Sequence, residues 1–247
     1  MSNQKILQRG AEALIILKDN KLIIKRRVAK SYRLSELDDR LRRQRTRSEV
    51  KLLEKASKII SVPQIENVDE NKKEISMDFI KGKKLSKHLN KFPLNKQKDI
   101  CLAIGQNIAK LHNVDIIHGD LTTSNMIYIE EKTKDNKKIL GDKKLSKISN
   151  YPNSSINKNV FGRVGGEKIN SPGVYFIDFG LGFISQKIED KAVDLHLLKQ
   201  ALEAKHFKNW ETLFGEVLKD YSISKESKKV LEQLKKVEKR GRYKEQY

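Results

Sequence analysis

The sequence predicts an α+β protein of two lobes, a small strand-rich N-terminal lobe followed by a mostly helical C-terminal lobe. Three observations lead to this prediction. Short β-prone runs fill most of the first third of the chain, with one helical interval among them. Apolar residues at helical spacing dominate the rest. Between the two patterns, the pair Lys81-Gly82 is typical of a hinge, so we assign residues 1–81 and 82–247 to the two lobes.

The N-terminal lobe contains two predicted strand pairs with a helix between them. A helix is predicted around residues 46–58, because apolar residues repeat there at helical spacing, and Glu49 falls close to its inner face. The pair Val62-Pro63 ends it. The turn-forming pair Asp19-Asn20 joins the first two strands. The predicted strands are residues 11–17, 21–28, 65–68 and 75–80.

The C-terminal lobe is predicted to be helical around two central strands. The runs IIHGDLTTSNMIYI and VYFIDFG each predict a strand, the first after a loop and the second before one. Three apolar stripes at helical spacing predict helices that pack on a core. The stripes are Ile100, Ile104, Ile108 and Leu111, then Ala192, Leu195, Leu198 and Leu202, and finally Val230, Leu231, Leu234 and Val237.

Residues 131–173 differ in composition from both of their flanks. They are rich in Lys, Asn, Ser and Gly and have few apolar side chains to bury. We predict a long flexible insertion between two adjacent strands. We favour a solvated insertion, although its basic charge also suits contact with a polyanion.

The composition limits the class of protein. Cys101 is the only cysteine, which excludes a disulfide framework and a Cys-based zinc site. No apolar run approaches the roughly 18 residues of a membrane span, so we expect a cytoplasmic protein with no membrane contact. The formal net charge is +20. A lysine-rich proteome would explain such a charge, but a cluster of arginines in residues 26–47 favours a polyanionic partner.

Three side chains in two loops predict the chemistry. Asp120 and Asn125 stand in HGDLTTSN, between a helix and a strand, and Asp178 stands in IDFG directly after the next strand. Transfer of a phosphoryl group from ATP needs a carboxylate near the attacking oxygen and oxygen ligands for magnesium. Asp120 suits the first role, and Asn125 and Asp178 suit the second. Both motifs in this order predict a protein-kinase-like fold.

A kinase-type site also needs a strand lysine that holds the α- and β-phosphates and a helix glutamate that orients it. Lys25 ends the second predicted strand, and Glu49 lies on the helix that follows. Surface charge is the alternative interpretation of each residue alone. Their order in the chain favours the pair.

The sequence resembles the small atypical serine/threonine kinase/ATPase subunit of the KEOPS complex, a family close to the RIO kinases. The resemblance covers nearly the whole chain outside residues 131–173. The segments that carry it are GAEALI, IKRRVAKSYR, LDDRLRRQRTRSE, IHGDLTTSN, IDFGLGFIS, EDKAVDL and RGR.

The resemblance implies a two-lobed kinase fold with ATP and Mg²⁺ in the cleft. It further implies a role in the synthesis of threonylcarbamoyladenosine in tRNA, as an ATP hydrolase with weak Ser/Thr protein kinase or autokinase activity. The implied partners are the actin-like threonylcarbamoyl-transferase subunit, the other KEOPS subunits and tRNA. By position, Lys25 would hold phosphates, Glu49 would pair with it, Asp120 would be the catalytic carboxylate, and Asn125 and Asp178 would bind metal.

The sequence departs from signalling kinases in several places. A single glycine precedes Ala11-Glu12-Ala13 where those enzymes have a glycine-rich loop, so we predict a different nucleotide cover there. Thr122 replaces a lysine of Ser/Thr kinases, and no APE motif follows Asp178. These absences favour ATP hydrolysis, or very selective transfer of phosphate, over a general protein kinase activity.

Two further residues of the C-terminal lobe have predicted roles. Asp194 resembles the helix aspartate that braces the catalytic loop of kinases, with a charge at the helix N-terminus as the alternative. His118 is expected to pack under that loop and not to act as a base.

Two rival functions remain open from the sequence. A small-molecule phosphotransferase of the aminoglycoside or choline kinase type shares the HGD…N loop, but the short C-terminal lobe leaves little room for an acceptor pocket. An RNA-binding scaffold with a vestigial kinase site is the second. The C-terminal segment with Arg240 and Arg242 is the predicted RNA contact, and a solvated tail is its alternative.

Overall fold

The computed structural model describes residues 3–130, 163–164, 167–168 and 173–242. Its first part is a five-stranded antiparallel sheet with the strand order β1-β2-β3-β5-β4 and one long helix, α1, packed on β4 and β5. These elements run, in chain order, β1 Gln4–Arg9, β2 Ala13–Lys18, β3 Leu22–Arg27, α1 Ser35–Ala56, β4 Ile65–Asp69 and β5 Glu74–Asp78. The four predicted strands and the turn at Asp19-Asn20 are confirmed.

Two elements of this lobe differ from the prediction. Strand β1 was not predicted, because every one of its residues is exposed and its sequence shows no alternation of apolar and polar side chains. Helix α1 begins eleven residues before the predicted residue 46. Its first half carries almost no apolar inner face, and ion pairs such as Arg42 Nε to Asp38 Oδ2 at 2.6 Å support it instead.

The second part is mostly helical. Helix α3 packs on α5 and helix α4 packs on α6, while the short strands β6, β8 and β11 form one small sheet and β7 pairs with β12. The elements are β6 Lys83–Lys84, α2 Leu85–His88, α3 Leu94–His112, β7 Ile116–Ile117, β8 Met126–Ile129, β9 Arg163–Val164, β10 Glu167–Lys168, β11 Gly173–Phe176, β12 Phe183–Ile184, α4 Ile188–Lys205, α5 Trp210–Tyr221 and α6 Ser227–Arg242.

The apolar stripes of α3 and α4 are buried as predicted, since all eight of their residues are no more than 2% exposed. The stripe of α6 also packs on this core. Helix α5 was not predicted, although its apolar residues do repeat at helical spacing. Among the described residues, no helix is both long and apolar enough to span a membrane. The cytoplasmic location stays a prediction.

The connection between the two parts precedes β8 in the chain, and the predicted insertion follows it. The predicted lobe boundary after Lys81 falls between β5 and β6, where the chain passes from the large sheet to the small one. Gly173 of β11 pairs with Ile129 of β8, so the segment between them joins two adjacent antiparallel strands. Apart from β9, β10 and Gly173, the predicted flexible insertion lies outside the described residues.

The contact between α3 and α5 requires a glycine at position 105. A Cβ on Gly105 would lie 2.2 Å from the carbonyl oxygen of Val217. We therefore expect Gly105→Ala to lower the free energy of unfolding by about 1–3 kcal/mol, because the two helices must separate. A urea titration measures the change.

Gly215 provides the matched control within α5. A Cβ added there meets nothing within 4 Å, so Gly215→Ala should raise the unfolding free energy by about 0.5–1 kcal/mol through helix propensity. Equal effects of the two substitutions would contradict this account of the α3–α5 contact.

Candidate active site

The loop between β7 and β8 is shaped by a glycine and a buried histidine. Gly119 has a φ of 76°, and a Cβ there would lie 2.3 Å from the carbonyl oxygen of Leu181. His118 Nε2 donates to the carbonyl oxygen of Ile177 at 3.2 Å, and its Nδ1 accepts the backbone N–H of Asp120 at 3.3 Å. Burial lowers the pKa of His118. The neutral ring packs under the loop, as predicted.

A buried carboxylate of α4 holds the same loop from below. Asp194 is 1% exposed, and it accepts the backbone N–H groups of His118 at 2.8 Å and Gly119 at 3.0 Å. His112 Nε2 donates to it at 3.3 Å, and the Tyr221 hydroxyl lies 2.9 Å from His112 Nδ1. The predicted bracing role of Asp194 is therefore confirmed, and the network links α5 to the catalytic loop.

Asp120 and Asn125 lie side by side at the start of β8. The Asn125 side-chain nitrogen donates to Asp120 Oδ2 at 2.8 Å and to the Asp120 carbonyl oxygen at 3.0 Å. The Asn125 carbonyl oxygen accepts the N–H of Ile177 at 2.9 Å, which ties this loop to the residue before Asp178. Two loops far apart in the sequence thus bring the three predicted side chains to one place.

Lys25 contacts one carboxylate in each lobe. Its Nζ lies 2.6 Å from Glu49 Oε1 and 2.6 Å from Asp178 Oδ1. Burial by itself would lower the pKa of Lys25, but Glu49 and Asp178 outweigh it and raise the pKa above its ordinary value. Burial would likewise raise the pKa of Asp178, yet Lys25 holds it below the usual range. The Lys25 ammonium and the Asp178 carboxylate are therefore charged at neutral pH.

The backbone at Asp178 is held in an unusual conformation. Its φ is 64°, in the left-handed region that residues other than glycine rarely adopt. Its side chain is 47% exposed, whereas the Lys25 side chain is 8% exposed. Strained residues of this kind persist where the surrounding structure fixes them, and they cluster at functional sites. The Asp178 carboxylate is thereby presented to the space between the lobes.

A cavity of about 560 Å³ lies between the two lobes at these residues. Lys25, Glu49, Asn125 and Asp178 line it, and Asp120 lies just outside this lining, against Asn125. The volume falls within the range of small-molecule pockets. Apolar side chains cover both faces of the cavity, namely Leu7, Ile15, Ile23, Met77, Ile127 and Ile177.

The structure differs from the prediction for the nucleotide cover. Leu7 and Gln8 of β1 line the cavity, whereas Ala11, Glu12 and Ala13 are absent from its lining. Glu12 is exposed at the β1–β2 turn and pairs there with an arginine of α1 at 2.7 Å. Strand β1 was not predicted, so the place of Leu7 and Gln8 in the cavity lining was not predicted either. Nucleotide binding by residues 11–13 stays a prediction.

The predicted RNA contact lies on α6, away from the cavity. Residues 239–242 belong to this helix and do not form a separate tail. Arg240 Nη1 lies 2.6 Å from Glu189 Oε1 of α4, and the Arg240 side chain is 66% exposed. The side chain of Arg242 lies outside the described residues. Both assignments stay predictions.

The oxygen donors at the cavity fit a magnesium ion. Mg²⁺ prefers oxygen ligands and is usually held by one or two carboxylates together with substrate phosphates and water. Asp178 and the amide oxygen of Asn125 are such donors, and both line the cavity. Within the described residues there is no group of three or more His, Cys, Asp or Glu that could hold an ion by itself. This donor set suits a metal that arrives with a phosphate ligand.

Sequence reasoning missed two buried residues at the site. Arg27 Nη2 lies 2.6 Å from Glu49 Oε2. Its position two residues after Lys25, on the same face of β3, was the available signal. His206 lies beside the catalytic loop at the end of α4. Its Nδ1 donates to Asn90 Oδ1 at 2.7 Å, and its Nε2 accepts from Thr123 Oγ at 3.1 Å. No local pattern in the sequence marks this histidine.

We expect His206 to make the stability of the fold dependent on pH. It is 1% exposed, and burial lowers its pKa to about 4. The unfolded chain takes up a proton near pH 6.5, so stability should fall as the pH drops from 6.5 towards 4, by up to about 3 kcal/mol. His206→Gln should flatten the curve of unfolding free energy against pH in this interval. Parallel curves for the variant and the parent chain would contradict the assignment.

Comparisons with known proteins show the family to which the chain is related. The RIO domain model matches residues 19–134. The KEOPS complex subunit Bud32 of Pyrococcus abyssi is 36% identical over 254 residues, which cover 98% of this chain and 97% of the relative. A probable serine/threonine-protein kinase BUD32 homolog of Archaeoglobus fulgidus is 30% identical, with coverage of 95% and 94%.

Two further matches bear on the chain's extent and fold. A probable bifunctional tRNA threonylcarbamoyladenosine biosynthesis protein of Methanobrevibacter smithii is 33% identical, and this chain spans 36% of its length. A Rio2 kinase from Chaetomium thermophilum, solved as an ADP/Mg²⁺-phosphoaspartate complex, superposes with a TM-score of 0.51 at 14% identity, over 97% of this chain and 71% of that one. The latter confirms the predicted kinase-like fold. The chain belongs to the Bud32 family of RIO-type atypical kinases.

Proposed function

We propose that the protein is an atypical kinase and ATP hydrolase, dependent on Mg²⁺, that supports threonylcarbamoyladenosine synthesis in tRNA as the Bud32-type subunit of a KEOPS complex. The observation that carries the proposal is the convergence of Lys25, Glu49, Asp178, Asn125 and Asp120 at one interlobe cavity. Phosphoryl transfer is mostly a matter of positioning and charge neutralisation, and this set supplies both.

Each of these side chains has a proposed role. Lys25 exchanges its contact with Asp178 for the α- and β-phosphates of ATP, and Glu49 keeps it oriented. Asp178 and the amide oxygen of Asn125 hold Mg²⁺, which when bound neutralises the charge on the phosphates. Asp120 accepts the proton of the attacking water or hydroxyl. The oxygen of that water or hydroxyl bonds to the γ-phosphorus, while the bond between the γ-phosphorus and the bridging oxygen breaks and that oxygen leaves with the β-phosphate.

The structure of the loop supports the role of Asp120. Its backbone position is fixed by Gly119 and by the two hydrogen bonds that Asp194 accepts. Asn125 donates to Asp120 Oδ2 and restricts its rotation. His118 is neutral and directed at the Ile177 carbonyl, so the carboxylate of Asp120 is the base that remains in this loop.

The names of the relatives support the proposed partners. The Pyrococcus abyssi relative is named as a KEOPS complex subunit, which supports KEOPS subunits as partners. The Methanobrevibacter smithii relative carries a region like this chain within a bifunctional protein. The presence of such a region in a longer protein named for tRNA threonylcarbamoyladenosine biosynthesis supports direct association of this chain with a partner, which we propose to be the actin-like transferase subunit acting on tRNA.

The proposal is tested by reconstitution of the tRNA modification. The purified chain, the actin-like partner, the other KEOPS subunits and unmodified tRNA are incubated with ATP and threonylcarbamoyl-adenylate, and the modified nucleoside is quantified. We expect its formation to require this chain, and Asp178→Asn to reduce it to the level seen without the chain. Full modification without this chain, or transfer of phosphate by it to choline or an aminoglycoside, would contradict the proposal.

A further inference from the structure

Glu49 accepts hydrogen bonds from two buried cations, not from one. Lys25 Nζ lies 2.6 Å from its Oε1, and Arg27 Nη2 lies 2.6 Å from its Oε2. The exposed fractions of Lys25, Arg27 and Glu49 are 7%, 6% and 1%. Side chains two residues apart on a strand point to the same face, which brings both cations of β3 to the α1 carboxylate. The second cation therefore belongs to the buried centre of the lobe.

The charges at this centre balance as long as Lys25 stays in place. Lys25 and Arg27 face Glu49 and Asp178, two positive and two negative groups. If phosphates draw Lys25 towards the cavity, its ammonium neutralises the Glu49 carboxylate less. A buried carboxylate without a counter-ion is strongly disfavoured. Without another cation, Glu49 would resist the sharing of Lys25 with the phosphates.

Arg27 is placed to neutralise Glu49 without meeting the nucleotide. Lys25, Glu49 and Asp178 line the interlobe cavity, whereas Arg27 is absent from its lining. Arg27 Nη2 lies 3.4 Å from the Arg45 carbonyl oxygen. It also lies 3.4 Å from the position that a Cβ on Gly180 would take, a position that Lys25 Nζ approaches to 3.2 Å. The absence of Arg27 from the cavity lining favours a positioning residue over a phosphate ligand.

Glu49 is also the main anchor of the Arg27 side chain. The buried Nε of Arg27 has no hydrogen-bond partner among the described residues. The contact with Arg45 is at 3.4 Å, while the contact with Glu49 is at 2.6 Å. A guanidinium stays charged at every accessible pH, so it serves Glu49 as a permanent partner.

We propose that Arg27 is a positioning residue, the fixed counter-ion of Glu49 that frees Lys25 to share its charge with the nucleotide phosphates. The proposal rests on the proposed ATP-dependent function. The proposal concerns only the binding of the phosphates, so the affinity for adenosine, which has no phosphates, should not depend on Arg27.

Binding of ATP and of adenosine to Arg27→Met, measured by calorimetry, tests the proposal. Methionine keeps much of the length and removes the charge. We expect the dissociation constant for Mg-ATP to rise about tenfold and that for adenosine to change less than twofold. Arg27→Lys should recover most of the ATP affinity. Arg26→Met is the matched control, because Arg26 is the exposed neighbour on β3 that pairs with Glu74 at 2.5 Å.

A double variant separates the possible causes. In the Glu49→Gln background there is no carboxylate charge to neutralise, so Arg27→Met should then change ATP affinity less than twofold. A tenfold loss in this background would overturn the proposal and make Arg27 a direct phosphate ligand. Equal losses of ATP and adenosine affinity, or no loss of either, would also overturn it. Absence of Mg-ATP binding by the parent chain would instead refute the proposed function.

Discussion

Asp178→Asn is expected to reduce Mg²⁺-dependent ATP turnover on the order of 10³-fold. Asparagine keeps the size and one oxygen of the side chain but removes the charge that faces the cavity. The substitution also takes from Lys25 one of its two carboxylate partners, each at 2.6 Å. We therefore expect weaker binding of the metal and a less fixed position of the Lys25 side chain.

Turnover of ATP at saturating concentration, with and without excess Mg²⁺, measures the effect. Asp220→Asn is the matched control, because Asp220 is a carboxylate of α5 that accepts a hydrogen bond from Gln106 at 2.6 Å, remote from the cavity lining. The control should retain full activity. A loss of less than about tenfold in Asp178→Asn would contradict the metal-binding role.

Asp120→Asn is the second substitution with a large expected effect. Removal of a general base lowers kcat by about 10²–10⁴-fold. Asp120 lies outside the cavity lining, so the KM for ATP should change less than threefold. Asparagine retains an oxygen that can accept the Asn125 hydrogen bond, and the loop should keep its shape.

The split between kcat and KM distinguishes this role from a structural one. The free energy of unfolding, measured by a urea titration, should stay within about 0.5 kcal/mol of the parent value while kcat falls. A raised KM with an unchanged kcat would assign Asp120 to ATP binding. Loss of folding stability together with kcat would assign it to the loop's architecture.

The site was largely predictable because most of its polar residues lie in short sequence motifs. HGDLTTSN and IDFG place their polar side chains directly at strand ends, and the β8–β11 pairing then brings the two loops together. Lys25 and Glu49 were predictable as a pair from the order of strand and helix. The distances at Lys25 and between Asp120 and Asn125 agree with that interpretation. The roles themselves stay proposals.

The parts that were not predicted depend on tertiary contacts. Strand β1 is an exposed edge strand without a periodic pattern, and it forms because β2 offers an unpaired edge. Charged residues fill the first half of α1, so its helical support comes from ion pairs and not from an apolar face. The place of Leu7 and Gln8 in the cavity lining was not predicted for the same reason, since both residues belong to β1.

Arg27 and His206 show a second limit of sequence reasoning. An arginine in a basic run and a histidine at a helix end have many ordinary explanations on the surface. Their burial, at 6% and 1% exposure, appears only when α1 covers β3 and when α4 reaches the catalytic loop. Helix α5 is different, because its apolar residues already repeat at helical spacing in the sequence.

ATP hydrolysis by the purified chain, measured with Mg²⁺ alone and then with tRNA and the actin-like partner, tests the central claim most directly. We predict slow turnover by the chain alone, at least a tenfold rise when both are added, and loss of activity in Asp178→Asn under either condition. Turnover that ignores tRNA and partner, with efficient transfer of phosphate to generic protein substrates, would contradict the account and identify a free-standing protein kinase.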